Sequence, residues 1–99
     1  MRNFREYVKE KLENPQDAVS YLNTALEEYE KDYDTEAFLL ALRTVTEVQG
    51  GIGELSKKTN LNRQHLYRTL SRKGNPRLNT LEAVLNGLGF RLSIVPIEG

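Results

Sequence analysis

The stretch Leu55-Ser56-Lys57-Lys58-Thr59-Asn60-Leu61-Asn62-Arg63-Gln64-His65-Leu66-Tyr67-Arg68-Thr69-Leu70 decides how this chain is organised. Its leucines are few, with Leu55 before Asn60 and Leu61, Leu66 and Leu70 after it. Ile52 and Leu55 mark one short helix, 52–59, and Leu66 and Leu70 mark a second, 63–70. Asn60 tolerates the left-handed conformation that ends a helix. Leu61 offers an apolar plug, and Asn62 is a good N-cap for the second helix. Ser56 is small where the first helix must approach the second. Two such helices, joined by a tight turn and followed by a third, predict a helix-turn-helix.

With Leu66 turned inward, Asn62, Arg63, Gln64, Tyr67 and Arg68 project outward, where the major groove of a duplex would meet them. Arginine suits guanine and glutamine suits adenine, each through paired hydrogen bonds. Arg72, Lys73, Asn75 and Arg77 follow in a loop, 71–77, where contacts to phosphates are expected. Residues 63–77 carry five Lys/Arg and no acid, an electrostatic footprint for a polyanion. The alternative is a helical hairpin used only for packing, with a solvated basic loop.

Upstream, Phe4, Tyr7, Val8 and Leu12 recur at helical spacing and predict a short first helix. Asn14-Pro15-Gln16-Asp17 is a start signal, with a capping Asn, a Pro at the first helical position and an acid at the positive end of the dipole. Ala18, Val19, Leu22, Ala25, Leu26 and Tyr29 give that second helix its stripe to about residue 30. Thr35 is expected to cap a third helix bearing Phe38, Leu39, Leu42 and Val45, which stops at Gly50-Gly51. Downstream, Asn79 with Glu82 resembles a capping box for a helix with Leu81, Val84, Leu85 and Leu88 inward, ended by Gly89. Residues 90–95 alternate and predict a strand. A lone strand cannot satisfy its backbone, so Phe90, Leu92 and Ile94 are expected in a two-fold dimer interface. A coiled tail docked on the core is the alternative. The fold class is thus all-α, five or six helices with a short C-terminal strand.

Ninety-nine residues with an apolar share of 38% and a mean hydropathy of −0.58 allow one small core, which makes pairing with a second copy an expectation. There is no cysteine, so disulfides and thiolate metal sites are excluded. No apolar run is long enough for a membrane span. The N-terminus, Met1-Arg2-Asn3-Phe4-Arg5-Glu6, lacks the apolar core of a secretory signal. A cytoplasmic protein is expected. Formal net charge is zero, but residues 1–50 hold six Lys/Arg against eleven Asp/Glu, and residues 51–99 hold eight against three. A −5/+5 split suggests an acidic and a basic surface with different partners; two solvated faces are the bland alternative. We divide the chain into an acidic helical segment, 1–34, and a DNA-binding region with the C-terminal strand, 35–99.

No enzyme, cofactor or metal is expected. His65 is the single histidine and has no second ligand of its kind for a transition metal. Glu27 and Glu28 lie on a helix surface with no cleft to organise acid-base chemistry. Gly50-Gly51-Ile52-Gly53 lacks the strand-turn-helix setting of a nucleotide fingerprint. Tyr7, Tyr21, Tyr29 and Tyr33 fit the edge of a core better than a stacking platform.

The stretch 55–71, ending Leu66-Tyr67-Arg68-Thr69-Leu70-Ser71, resembles the HigA-like addiction-module antidote proteins, which carry a λ-repressor-type DNA-binding domain. Gly74-Asn75-Pro76, Asn79-Thr80-Leu81 and Leu88-Gly89-Phe90-Arg91-Leu92-Ser93 are similar to the same family, as is Ala18-Val19-Ser20-Tyr21-Leu22-Asn23-Thr24-Ala25-Leu26-Glu27-Glu28. The sequence departs where the family often has Ala, at Ser56, and Gly, at Asn60; both residues fit sterically. The resemblance implies a type II antitoxin that neutralises a RelE/HigB-like toxin and represses its own operon as a dimer. Glu27, Glu28, Glu30, Asp32, Asp34 and the adjoining Glu36 would complement a basic nuclease, or form an ordinary solvated surface. A stand-alone phage-type regulator, or an interaction module without DNA affinity, would share most of these features.

Overall fold

The computed structural model describes residues 3–98, which form six helices and no strand. The helices are α1 (Phe4–Leu12), α2 (Pro15–Asp32), α3 (Glu36–Val48), α4 (Ile52–Thr59), α5 (Arg63–Thr69) and α6 (Leu78–Gly87). The all-α class is as expected. Local signals set most of the boundaries. Asn3 Oδ1 accepts from the Glu6 amide at 2.8 Å to open α1. Asn14 Oδ1 does the same for Gln16 at 2.8 Å and Asp17 at 3.3 Å, with Pro15 supplying a fixed φ at the first helical position. The turn between α3 and α4 is made by Gly50 and Gly51 at φ 112° and 90°, backbone open to glycine alone at little cost.

Two capping expectations are corrected. Thr35 precedes α3, but its backbone is already helical (φ −76°, ψ −14°) and its side chain makes no cap. An N-cap needs extended backbone to swing its oxygen over the first turn; here Asp34 Oδ1 takes the Glu36 amide instead, at 3.0 Å. The capping box of Asn79 and Glu82 is absent as well. Arg77 adopts the extended cap conformation (φ −70°, ψ 158°), so α6 starts earlier and Asn79 lies within its first turn, bonding only the Thr80 amide at 2.9 Å. The second helix also runs past residue 30 to Asp32, ending on Tyr33 in the left-handed region (φ 57°). The Tyr33 ring meets Tyr29 edge-on with centroids 5.6 Å apart.

The core is built around α3. Leu39, Leu42 and Val45 of α3 are buried with Leu12, Ala18 and Leu22 from α1 and α2, and with Leu55, Leu66, Leu70, Val84, Leu85 and Leu88 from the second half. Helix α2 packs most extensively on α3, and α4 packs on both α5 and α6. Thr46 is buried too and turns its hydroxyl onto the Leu42 carbonyl at 2.7 Å. Long-range polar contacts lock the halves together. Gln49 Nε2 donates to the Leu88 carbonyl at 2.8 Å, and the Arg43 guanidinium donates to the Leu70 carbonyl at the end of α5. Both carbonyls belong to helix C-termini, which lack intrahelical partners. Phe4, Tyr7, Val19 and Tyr33, expected in or beside the core, are exposed.

Residues 90–98 form no strand within the chain. Phe90 closes α6 by donating its amide to the Leu85 carbonyl at 2.8 Å and packs its ring on the core. Beyond it the chain runs outward, with Ile94 98% and Ile97 97% exposed. Among the described residues no second extended segment lies beside it, and an extended segment without a partner makes no ladder.

Candidate nucleic-acid interface

The turn between α4 and α5 is held by its own short polar side chains. Asn60 takes the left-handed conformation (φ 62°), and its amide donates to the Ser56 carbonyl at 2.9 Å. Ser56 Oγ donates to the Leu61 carbonyl at 2.6 Å. Thr59 Oγ1 donates to the Leu55 carbonyl at 2.8 Å and accepts from the Leu61 amide at 3.2 Å. Leu61 packs against the core, and Asn62 Oδ1 caps α5 by accepting from the His65 amide at 2.7 Å. Leu66 and Leu70, 0% and 1% exposed, anchor α5 from below.

These anchors fix what α5 presents. Arg63, Gln64, Tyr67 and Arg68 are exposed, and their spacing places them on the side opposite Leu66 and Leu70. Arg63 lies across the first turn of α4: a Cβ on Gly53 would stand 3.1 Å from Arg63 Nη2, so glycine leaves room for the guanidinium. Asn62 commits its Oδ1 to the cap, which leaves its NH2 group without an intramolecular role in that bond.

The loop after α5 does not present its four selected residues as one set. Lys73, Asn75 and Arg77 line a cleft of ≈ 340 Å³ together with His65, Arg68 and Thr69 of α5 and Thr80 of α6. Gly74 seats the loop: its amide donates to the Ser71 carbonyl at 2.9 Å, and a Cβ there would run into the Thr69 carbonyl. Arg72 points elsewhere, its Nε 2.8 Å from Glu36 Oε1 at the start of α3. The acidic connection and the basic loop are therefore neighbours, which the opposite charges of the two halves do not reveal. Among the other acidic candidates, Glu28 pairs with Lys31 at 3.2 Å, and Asp32 Oδ1 accepts from the Asp34 amide at 2.9 Å. Glu27, Glu28, Glu30, Asp32 and Asp34 are all exposed, as is Leu40 on α3. Of the three dimer candidates, Phe90 is half-buried on its own core, while Leu92 and Ile94 are exposed. Arg68 was selected for base contact, and its place in the cleft was not legible locally, because the cleft forms only when α6 returns to α5.

The described residues define a small six-helix protein in which α5 exposes a polar and basic face and the loop after it meets the start of α3 through Arg72 and Glu36. The chain belongs to the family described as probable addiction module antidote protein, whose family model matches residues 3–96. An antidote of this kind is an antitoxin, and it implies a cognate toxin as partner. No curated protein and no solved structure matches the chain. Among the described residues no helix is long and apolar enough to cross a membrane.

Proposed function

We propose that this chain is the antitoxin of a HigA-like type II module, a cytoplasmic, non-enzymatic protein that binds its operator through α4 and α5 acting as a helix-turn-helix. The observation that carries this reading is the exposed face of α5, where Arg63, Gln64, Tyr67 and Arg68 stand out over the buried Leu66 and Leu70. Residues 35–99 form the DNA-binding part, and residues 1–34 supply most of the surface for a RelE/HigB-like toxin. The exposed acids from Glu27 to Asp34 complement a basic nuclease. The apolar tail, with Leu92, Ile94 and Ile97 open to solvent, pairs with the same tail of a second copy, which satisfies its backbone and covers its side chains. Such a dimer would span two half-sites about 34–36 Å apart.

The direct test is binding to the DNA upstream of the chain's own gene, against a scrambled duplex, at physiological salt. Specific repression predicts a preference of roughly 10³-fold or more. Equal and weak binding to both duplexes would leave only the toxin-binding half of the proposal. Arg63→Ala or Gln64→Ala should cost about 1–3 kcal/mol on the cognate site and little on the scrambled one. Charge reversal at Glu27, Glu28 and Glu30 should weaken toxin binding while sparing DNA; unchanged toxin affinity would remove that surface from the proposal.

A further inference from the structure

A cleft of ≈ 330 Å³ opens where the elbow between α1 and α2 meets the ends of α3 and α6. Leu12, Pro15, Ala18, Val48 and Phe90 line it. Of its polar members, Gln49 already donates its Nε2 to the Leu88 carbonyl, and Glu13 is exposed. Gly89 forms one lip at a φ of 96°, and a Cβ there would meet nothing beyond its chain neighbours within 4 Å, so that side is open. A cleft of this composition gains from an apolar side chain, not from an ion. The same chain ends in such side chains without cover, with Val95 75% and Ile97 97% exposed. Resting on the proposal that two tails pair across a two-fold axis, we infer that this cleft receives Ile97 of a second copy, and that each copy closes the other's cleft.

The composition of the tail selects that occupant. Pro96 has no amide hydrogen, so a ladder between two tails stops there and leaves Ile97 beyond it. Antiparallel pairing that sets Leu92 of one copy against Ile94 of the other, in both halves, is centred on Ser93. The same register places Ile97 of one copy opposite Gly89 of the other, at the open lip of its cleft. Neighbouring strands lie about 4.8 Å apart, which puts the isoleucine within reach of that lip. Return of a tail to its own cleft is opposed by Arg91-Leu92-Ser93-Ile94-Val95, which hold no Gly, Pro, Asn or Asp to reverse the chain. Ile94 and Val95 are β-branched and favour extended backbone. A two-fold axis makes the contact twice, which counts in a chain whose own core is small.

The chain has no cysteine, so single introduced thiols report which residues meet. Ser93→Cys, Ile97→Cys, Glu13→Cys and Glu28→Cys proteins are prepared separately, mixed in pairs and treated with a short bismaleimide. Ser93→Cys alone should give a covalent dimer. Ile97→Cys with Glu13→Cys should give a mixed dimer several times more readily than Ile97→Cys with Glu28→Cys. Glu28 lies farther along α2, about 15 Å from Ala18 at the helical rise. In sedimentation equilibrium, Ile97→Asp should raise the dimer dissociation constant roughly 10²-fold, and Ile97→Leu should leave it nearly unchanged. A Ser93→Cys dimer without the preferred mixed product overturns the cleft assignment and leaves the paired tails standing. An Ile97→Asp protein that dimerises like the wild type does the same. A wild-type chain that stays monomeric overturns the tail pairing and the cleft assignment together.

Discussion

Replacing Gly87 by alanine puts one methyl group against the helix that supports α5. Gly87 is the last residue of α6 and faces α4, where a Cβ would lie 2.7 Å from Thr59 Cγ2 and 2.8 Å from Leu55 Cδ1. Both distances are below any ordinary carbon contact, and Leu55 is only 3% exposed. Overpacking of this kind costs about 1–3 kcal/mol. Alanine also gains about 1 kcal/mol over glycine in helical backbone. The expected net loss is about 1 kcal/mol, a fall of about 4–8 °C in Tm for a domain of this size. The closest atom belongs to Thr59, which suggests a relief. Thr59→Ser removes Cγ2 but keeps the hydroxyl that bonds the Leu55 carbonyl and the Leu61 amide. Alone, Thr59→Ser should cost up to about 0.8 kcal/mol for the lost methyl. Together, the two changes should be less harmful than their sum by about 0.5 kcal/mol or more. Urea denaturation of the wild type, both single variants and the double variant, followed by circular dichroism, measures the coupling. A Gly87→Ala protein stabilised by the whole helical gain would show that α4 and α6 are not in close contact. Additive effects of the two changes would show that Thr59 is not the neighbour that yields.

Asn60→Ala should cost about 1–2 kcal/mol, because its φ of 62° lies where a Cβ without a local polar partner is strained; Asn60→Gly should be near neutral, and equal losses would move the cause from backbone to side chain. Leu66→Ala empties a fully buried position of α5 and should cost about 2–5 kcal/mol in chemical denaturation, whereas a loss below 1 kcal/mol would mean the helix is not anchored there. Glu36→Gln should leave stability nearly unchanged, since its pair with Arg72 is solvent-exposed. The same change frees Arg72, so affinity for any duplex should rise about 2–5-fold with a steeper salt dependence; an unchanged salt slope would show that Arg72 does not reach the backbone.

Most of the helical framework was legible before any coordinates, because its signals act within one turn. Asn14-Pro15, Asn60 and Asn62 each bond or bend the chain within three residues, and the structure uses all of them as their chemistry suggests. The two failed caps are instructive. Thr35 and Asn79 both have suitable side chains, yet Asp34 takes the Glu36 amide ahead of Thr35, and Arg77 holds the extended cap conformation ahead of Asn79. The exposed face of α5 was legible for a similar reason, since burying Leu66 and Leu70 leaves little choice for Arg63, Gln64 and Tyr67.

By itself, then, the sequence determined the helices, the left-handed turn at Asn60, the outward residues of α5 and the family resemblance, all carried by local spacing and residue type. Only the tertiary structure decided which distant groups meet. It joined Gln49 to the Leu88 carbonyl across 39 positions and Arg43 to the Leu70 carbonyl across 27. It turned Arg72 onto Glu36, brought Arg68 into the cleft with Lys73 and Arg77, and set Gly87 against Thr59. The tail shows the same division, because its alternation is local but a strand exists only beside another strand. Contacts between groups far apart in sequence depend on how helices pack, and packing is settled by the whole core at once.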